Sequence, residues 1–250
     1  PGGVVILGRA GVPVVVVIYG ILFLSHWGTR TPGKGAASLT RLVVAGFLAL
    51  TAFVTWQSAL AAPDGRLHLT LLNVGAGDAL LIRTPTGRNL LIDGGSSPTL
   101  LSDALGRRLP LGQRGFDYWV IAAPFEPQIG ALPRVLERFP PAAVLWAGPA
   151  ASGSDARYLR AQLVEAGVPL VQAETGHALD LGGGASLRVL AAGKRGAILL
   201  VEWNDFRALL PIGADFDTLA ALENGRAVGP VTVLLLAESG LDALAPPELL

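Results

Sequence analysis

At 250 residues the chain has room for one or two domains, and its 15% charged residues fall below the roughly 25% of an average soluble protein. It contains no cysteine, which excludes disulfides and thiolate metal sites. Residues 1–62 hold no acid, only Arg9, Arg30, Lys34 and Arg41, so residues 63–250 carry all 19 acids and a net charge of −4, which excludes a bulk attraction to phosphate.

In chain order, the first long apolar run is Gly11 to Trp27, 17 residues. With its approach it predicts a membrane helix at about 4–27. The second, Leu42 to Ala62, is 21 residues without a charge; about 20 apolar residues span a bilayer core as a helix. Between them, residues 28–41 form a loop with Arg30, Lys34 and Arg41 and no acid. Short basic loops stay on the cytoplasmic side, which predicts that residues 63–250 lie outside the cytoplasm of a multi-pass protein in a bacterial cell membrane. The start at Pro1, the absence of Met and the Pro246-Pro247-Glu248-Leu249-Leu250 end read as a piece of a longer protein, incomplete at the C-terminus of its domain.

After Ala62 the pattern changes to short strands. Leu67–Asn73, Ala79–Thr84 and Asn89–Asp93 are alternating or apolar runs separated by Gly-rich turns, which predicts an antiparallel meander. Helices follow at Thr99–Leu109, Gly130–Phe139 and Asp155–Ala166, the last with Ser154 as its cap, with strands at Tyr118–Ala123 and Ala143–Ala147. Further strands are expected at Ser186–Ala191, Ala197–Trp203, Arg207–Ile212 and Val231–Leu236, with a helix from Phe216 to Asn224. Strands paired first and alternating with helices later predict an α/β fold with sheets inside and helices outside.

Ordered segments then point to one family. Leu72-Asn73-Val74-Gly75-Ala76-Gly77-Asp78-Ala79 resembles the opening of the metallo-β-lactamase-like domain of ComEC-type DNA-internalisation proteins, and Leu91-Ile92-Asp93-Gly94-Gly95 resembles its next strand end. Ile121 to Leu132 stands where that family has its histidine motif, and Leu209 to Asp215 and Val233 to Gly240 resemble its later strand ends. The resemblance implies an αββα sandwich over residues 63–250 preceded by transmembrane helices in residues 1–62.

It also implies a chemistry. Family members use Zn or Mn, held by histidines and carboxylates that leave a position open for water. Here the ligand positions carry Ala123, Phe125, Pro127 and Gln128, and the later histidine pair falls on Glu238 and Ser239. Asp215 stands at the position of the metal-bridging aspartate. The resemblance therefore implies a domain of degenerate motifs with no cofactor expected, leaning away from enzyme activity and serving to position single- or double-stranded DNA or other competence proteins beside the membrane. The alternatives are a hydrolase built on an acidic site of Asp215, Glu126 and Glu238, where oxygen ligands suit Mg²⁺ or Ca²⁺, and a protein-interaction module. Asp215 also stands where it would cap a helix beginning at Phe216. The basic pairs Arg107-Arg108 and Arg157 with Arg160 read as solvated helix faces.

Overall fold

The computed structural model describes residues 20, 45–53, 63–110, 115–149, 152–222 and 228–235. It divides into two units, Pro1–Ala62 and Pro63–Leu250. In the first, residues 45–53 are helical and expose Leu48, Leu50 and Phe53. Most of the expected spans at 4–27 and 42–62, and all of the loop 28–41, lie outside the described residues. Among the described residues no helix is long and apolar enough to cross a membrane.

The second unit begins with the expected meander. Strands β1 (His68–Leu71), β2 (Leu80–Arg83) and β3 (Asn89–Ile92) pair antiparallel in sequence order. Helix α1 (Pro98–Arg108) follows, capped by Ser97, whose hydroxyl accepts the Leu100 N–H. Strand β4 (Phe116–Ile121) then lies parallel to β3, β5 (Pro141–Trp146) parallel to β4, and β6 (Leu170–Gln172) parallel to β5. The crossovers are α2 (Glu126–Ile129) with α3 (Leu132–Val135), and α4 (Ser154–Glu165). A second sheet holds β7 (Ala178–Gly182), β8 (Ala185–Ala192), β9 (Ala197–Trp203), β10 (Phe206–Leu210) and β11 (Val233–Leu234), with α5 (Phe216–Ala221) between the last two.

Strand periodicity of two sorts the side chains into layers. Leu81, Leu91, Trp119, Ile121, Val144 and Trp146 face α1 to α4 and bury Leu101, Leu105, Ile129, Leu132 and Leu159. Their neighbours Leu80, Ile82, Leu90, Ile92 and Val120 face the second sheet and meet Leu187, Val189, Leu199 and Val201. The far face of the second sheet buries Ile198, Leu200 and Leu209 beside α5. The order is helices, sheet, sheet, helix. In β8 the pairing with β9 shifts between Val189 and Ala191, so Val189 faces the inter-sheet core while Ala191 faces outward. One extra residue in a strand reverses every side chain beyond it.

Three local expectations differ from the structure. Of the helix expected over Gly130–Phe139 only α3, Leu132–Val135, is helical, and a separate short helix, α2, precedes Gly130; Pro127 and Pro133 sit in their first turns, where the missing N–H is tolerated. Ser154 is the first residue of α4 rather than its cap; the cap is Gly153, and the Ser154 hydroxyl donates to Asp155 Oδ2 at 3.3 Å. Strands β6 and β7 were not expected: one has three residues and the other carries Asp180 and ends in glycine, too short and too polar for periodicity to show.

Candidate functional site

The parallel strands β3, β4 and β5 all end on one side of the first sheet. The segments after β3 and β4, the turn between β8 and β9, and the link from β10 to α5 meet there. Ligands of open α/β sheets bind at such carboxyl ends.

Asp93 ends β3 with φ of +51° and is fully buried. Its Oδ1 accepts the N–H of Ala122 at 2.9 Å and of Ala123 at 3.5 Å, clamping β3 to the end of β4. Its Oδ2 is buried with no hydrogen-bond partner. Burial pushes the Asp93 carboxyl well above the usual carboxylate range and the charge of Asp78 adds to this, against the two N–H donors. A buried carboxyl with one unpartnered oxygen keeps its proton most readily.

Gln128 is also buried and works as a crosspiece. Its Oε1 accepts the Asp78 N–H at 2.7 Å, and its Nε2 donates to Asp78 Oδ2 at 3.1 Å. The Gln128 carbonyl accepts the N–H groups of Gly94 and Gly95 at 2.7 and 2.8 Å. This approach requires glycine at position 77: φ is +78°, and a Cβ there would lie 1.7 Å from the Pro127 carbonyl oxygen.

The other ligand-motif positions follow from the same turn. Ala123 is buried, Phe125 precedes the first turn of α2, and Glu126 and Pro127 are exposed at its start. The Phe125 ring packs against the inter-sheet core and lies under the Arg195 guanidinium, whose carbon is 5.9 Å from the ring centroid. Arg195 belongs to the β8–β9 turn, closed by the Gly193 N–H donating to the Gly196 carbonyl at 2.7 Å.

Asp215 caps α5, as its place before Phe216 predicts. Its Oδ1 accepts the Thr218 N–H and is 2.8 Å from Thr218 Oγ1, and its own N–H is 2.8 Å from that hydroxyl. Burial alone would raise the Asp215 carboxyl. The Thr218 donors, with the N–H and charge of Arg195, outweigh burial and hold it below the usual range.

These residues do not fit a pair of histidine-bound metal ions. Ala123, Phe125 and Pro127 offer no donor, the Gln128 amide is committed to Asp78, and Asp215 Oδ1 is committed to the cap of α5. Among the described residues no three His, Asp or Glu side chains converge in a way that could hold a metal ion. Glu238 and Ser239 lie outside the described residues, so the acidic set expected from Asp215, Glu126 and Glu238 is seen only in its first two members. His68 pairs with exposed Asp64 at 2.7 Å and His177 lies 3.9 Å from Glu174, both away from this site; His26 is outside the described residues.

Reading the sequence missed Arg195, whose only signal is a basic pair inside Gly193-Lys194-Arg195-Gly196 between two apolar runs. It also misread Arg160. That guanidinium is no solvated helix face but lies over the Trp146 ring at 5.6 Å, with Nη1 buried and unpartnered. Arg157 is exposed as expected, and Arg108 donates to the Ala104 carbonyl at the end of α1.

Comparison with known proteins gives no matching family model and no match among curated proteins. Among solved structures, CmlA, a diiron β-hydroxylase from Streptomyces venezuelae, is similar over 68% of this chain and 34% of its own at 16% identity and a TM-score of 0.45. A metallo-β-lactamase from Cronobacter sakazakii is similar over 67% of this chain and 76% of its own, at 15% identity and a TM-score of 0.45. A metallo-β-lactamase superfamily protein from Sulfolobus tokodaii is similar over 66% and 77%, at 16% identity and a TM-score of 0.42. The chain thus spans about a third of CmlA. Likeness at this level assigns no site residue and no activity. One expectation does not stand against these neighbours: that no cofactor accompanies such a domain, with Zn or Mn as the metals of its relatives. CmlA and the flavo di-iron protein of Thermotoga maritima are named as diiron proteins, so the neighbours include metal-binding proteins, iron among them.

Proposed function

We propose that the chain is part of a ComEC-like DNA-uptake channel. Residues 1–62 cross a bacterial cell membrane, and residues 63–250 form an extracytoplasmic domain of metallo-β-lactamase type. The domain positions single- or double-stranded DNA, or another competence protein, rather than cutting nucleic acid with a histidine-bound metal pair. The observation that carries this reading is Gln128. At the last position of the ligand motif it is buried and bonded to both the N–H and the carboxylate of Asp78, while its carbonyl holds Gly94 and Gly95. The ligand segment has become internal framework, which supports loss of the hydrolytic step with retention of the scaffold. The order of the motifs and the sandwich of two sheets between helices support the family. A net charge of −4 over residues 63–250 means that any DNA contact is local.

The test is fluorescence anisotropy of labelled oligonucleotides with the purified chain, at salt from low to physiological. The expected result is binding that weakens with salt, and no loss of oligonucleotide length on prolonged incubation with Mn²⁺. No binding at low salt would overturn DNA positioning. Cleavage that an Asp215→Ala variant abolishes would overturn the non-hydrolytic reading.

A further inference from the structure

We propose that the second unit carries a binding site of its own between the two sheets, for a small, uncharged, planar aromatic molecule of about two fused rings with an oxygen acceptor. The site is a cavity of about 320 Å³ where the β5–β6 end of the first sheet meets β7, the edge strand of the second. It lies apart from the strand ends around Asp93 and Gln128, and it rests on neither the DNA contact nor the membrane spans of the reading above.

Strand register explains why the cavity exists. Leu145 packs in the inter-sheet core, and by the strand period of two Ala143 faces the same way. Tyr118 is level with Ala143 and Val171 with Leu145, so all four side chains stand on the inter-sheet face. Ala143 brings only a methyl group to a layer otherwise filled by larger side chains. Leu179 of β7 forms part of the opposite wall, half-buried against the same core. The second sheet ends at β7, and Val171 on β6 stays 50% exposed. The slot between the sheets is therefore open to solvent at this edge, and a ligand reaches it without unfolding.

The walls define the ligand. Two sheet faces packed about 10 Å apart leave a slot rather than a sphere, which suits a flat molecule. The Tyr118 ring lines it, and aromatic rings gain from offset or edge contacts with one another. The volume is roughly twice that of an apolar cavity of ~150 Å³ that binds benzene, so two fused rings fill it. Two lining side chains are polar, Tyr118 and His177. The turn before β7 fixes His177, whose N–H donates to the Glu174 carbonyl at 3.0 Å and whose carbonyl accepts the Val189 N–H at 2.8 Å. Its Nδ1 accepts the Glu174 N–H at 3.3 Å, which in the neutral ring leaves the proton on Nε2. Nε2 is 3.9 Å from Glu174 Oε2, beyond hydrogen-bond length. The tyrosine hydroxyl and this N–H are both donors, so they call for an acceptor oxygen on the ligand. The Glu174 carboxylate beside them disfavours an anion.

The experiment is equilibrium dialysis of 2-naphthol against the purified full chain at neutral pH. Naphthalene serves as the hydrocarbon comparison, and 1-decanol as a flexible chain with the same number of non-hydrogen atoms as 2-naphthol. Wild type, Ala143→Leu and Tyr118→Phe are compared, with circular dichroism to confirm folding; uptake by the apolar segments of residues 1–62 is common to all and cancels. Saturable binding of 2-naphthol by wild type is expected. Ala143→Leu, which fills the slot with a larger side chain, should weaken it about tenfold. Tyr118→Phe should weaken 2-naphthol by about threefold to tenfold and leave naphthalene unchanged. Should Ala143→Leu fail to fold, Val171→Trp closes the mouth from an exposed position and carries the same expectation. No saturable binding by wild type, or binding that Ala143→Leu and Val171→Trp leave intact, would overturn the site. Binding of 1-decanol as tight as that of 2-naphthol would overturn the planar ligand, and equal losses of naphthalene and 2-naphthol in Tyr118→Phe would overturn the acceptor contact.

Discussion

Gln128 and Asp93 are buried polar residues that tie strand ends of the first sheet together. Replacing Gln128 by Ala would leave the Asp78 N–H and carboxylate without the amide in a buried place. An orphaned buried polar group costs about 1–3 kcal/mol, so Gln128→Ala should lower stability by about that amount in urea unfolding. Asp93 gives a pH dependence of definite sign. Its carboxyl is raised in the folded chain and ordinary in the unfolded one. The unfolded chain therefore loses this proton first, and the contribution of Asp93 to stability falls as pH rises above the ordinary carboxylate value, levelling only above the raised one. An Asp93→Asn variant should lack that component, and asparagine tolerates the positive φ. The difference in urea midpoint between the two chains, followed from pH 4 upward, measures it; a constant difference would refute the assignment. Neither role was legible in the sequence. Asp78 and Asp93 lie within the resembling segments Leu72–Ala79 and Leu91–Gly95, and Gln128 appeared only as a residue at a histidine position. Its partner Asp78 is 50 residues away, and only folding brings the two together.

At the scale of elements, start signals were read better than extents. The Asp215–Thr218 capping box fixes where α5 begins through two residues three apart, a purely local relation. Asp215→Ala should cost about 0.5–2 kcal/mol, measurable as a lower melting temperature, and Asp215→Asn should recover most of it, since an amide oxygen also accepts from Thr218 N–H. Strands β2, β3, β4 and β9 were visible as apolar runs because they are buried on both faces. The edge strands β6 and β7 were not, since each has a partner on one side only and carries exposed polar residues. The bulge in β8 likewise leaves no trace, because it falls in the wholly apolar run Val189-Leu190-Ala191-Ala192, which has no alternation to interrupt.

For the whole molecule, stability comes from separate apolar layers joined through the sheets. Leu101 of α1 is fully buried between helix and sheet, and Leu199 of β9 is fully buried between the two sheets. Leu101→Ala and Leu199→Ala should each cost about 2–5 kcal/mol in denaturant unfolding, and because the sites lie in different layers the double variant should show nearly the sum. Composition and order of apolar runs separated by themselves an acid-free, apolar segment from an α/β domain of sheets flanked by helices, since burial and periodicity are properties of neighbouring residues. The motif order likewise carried the resemblance under which Ala123, Phe125, Pro127 and Gln128 stand at ligand positions. Tertiary structure alone decided what the residues at these positions touch. Gln128 on Asp78, Asp93 on the end of β4, and Arg195 over Phe125 are contacts across long stretches of chain, set by which strand ends and turns meet at one edge of the sandwich.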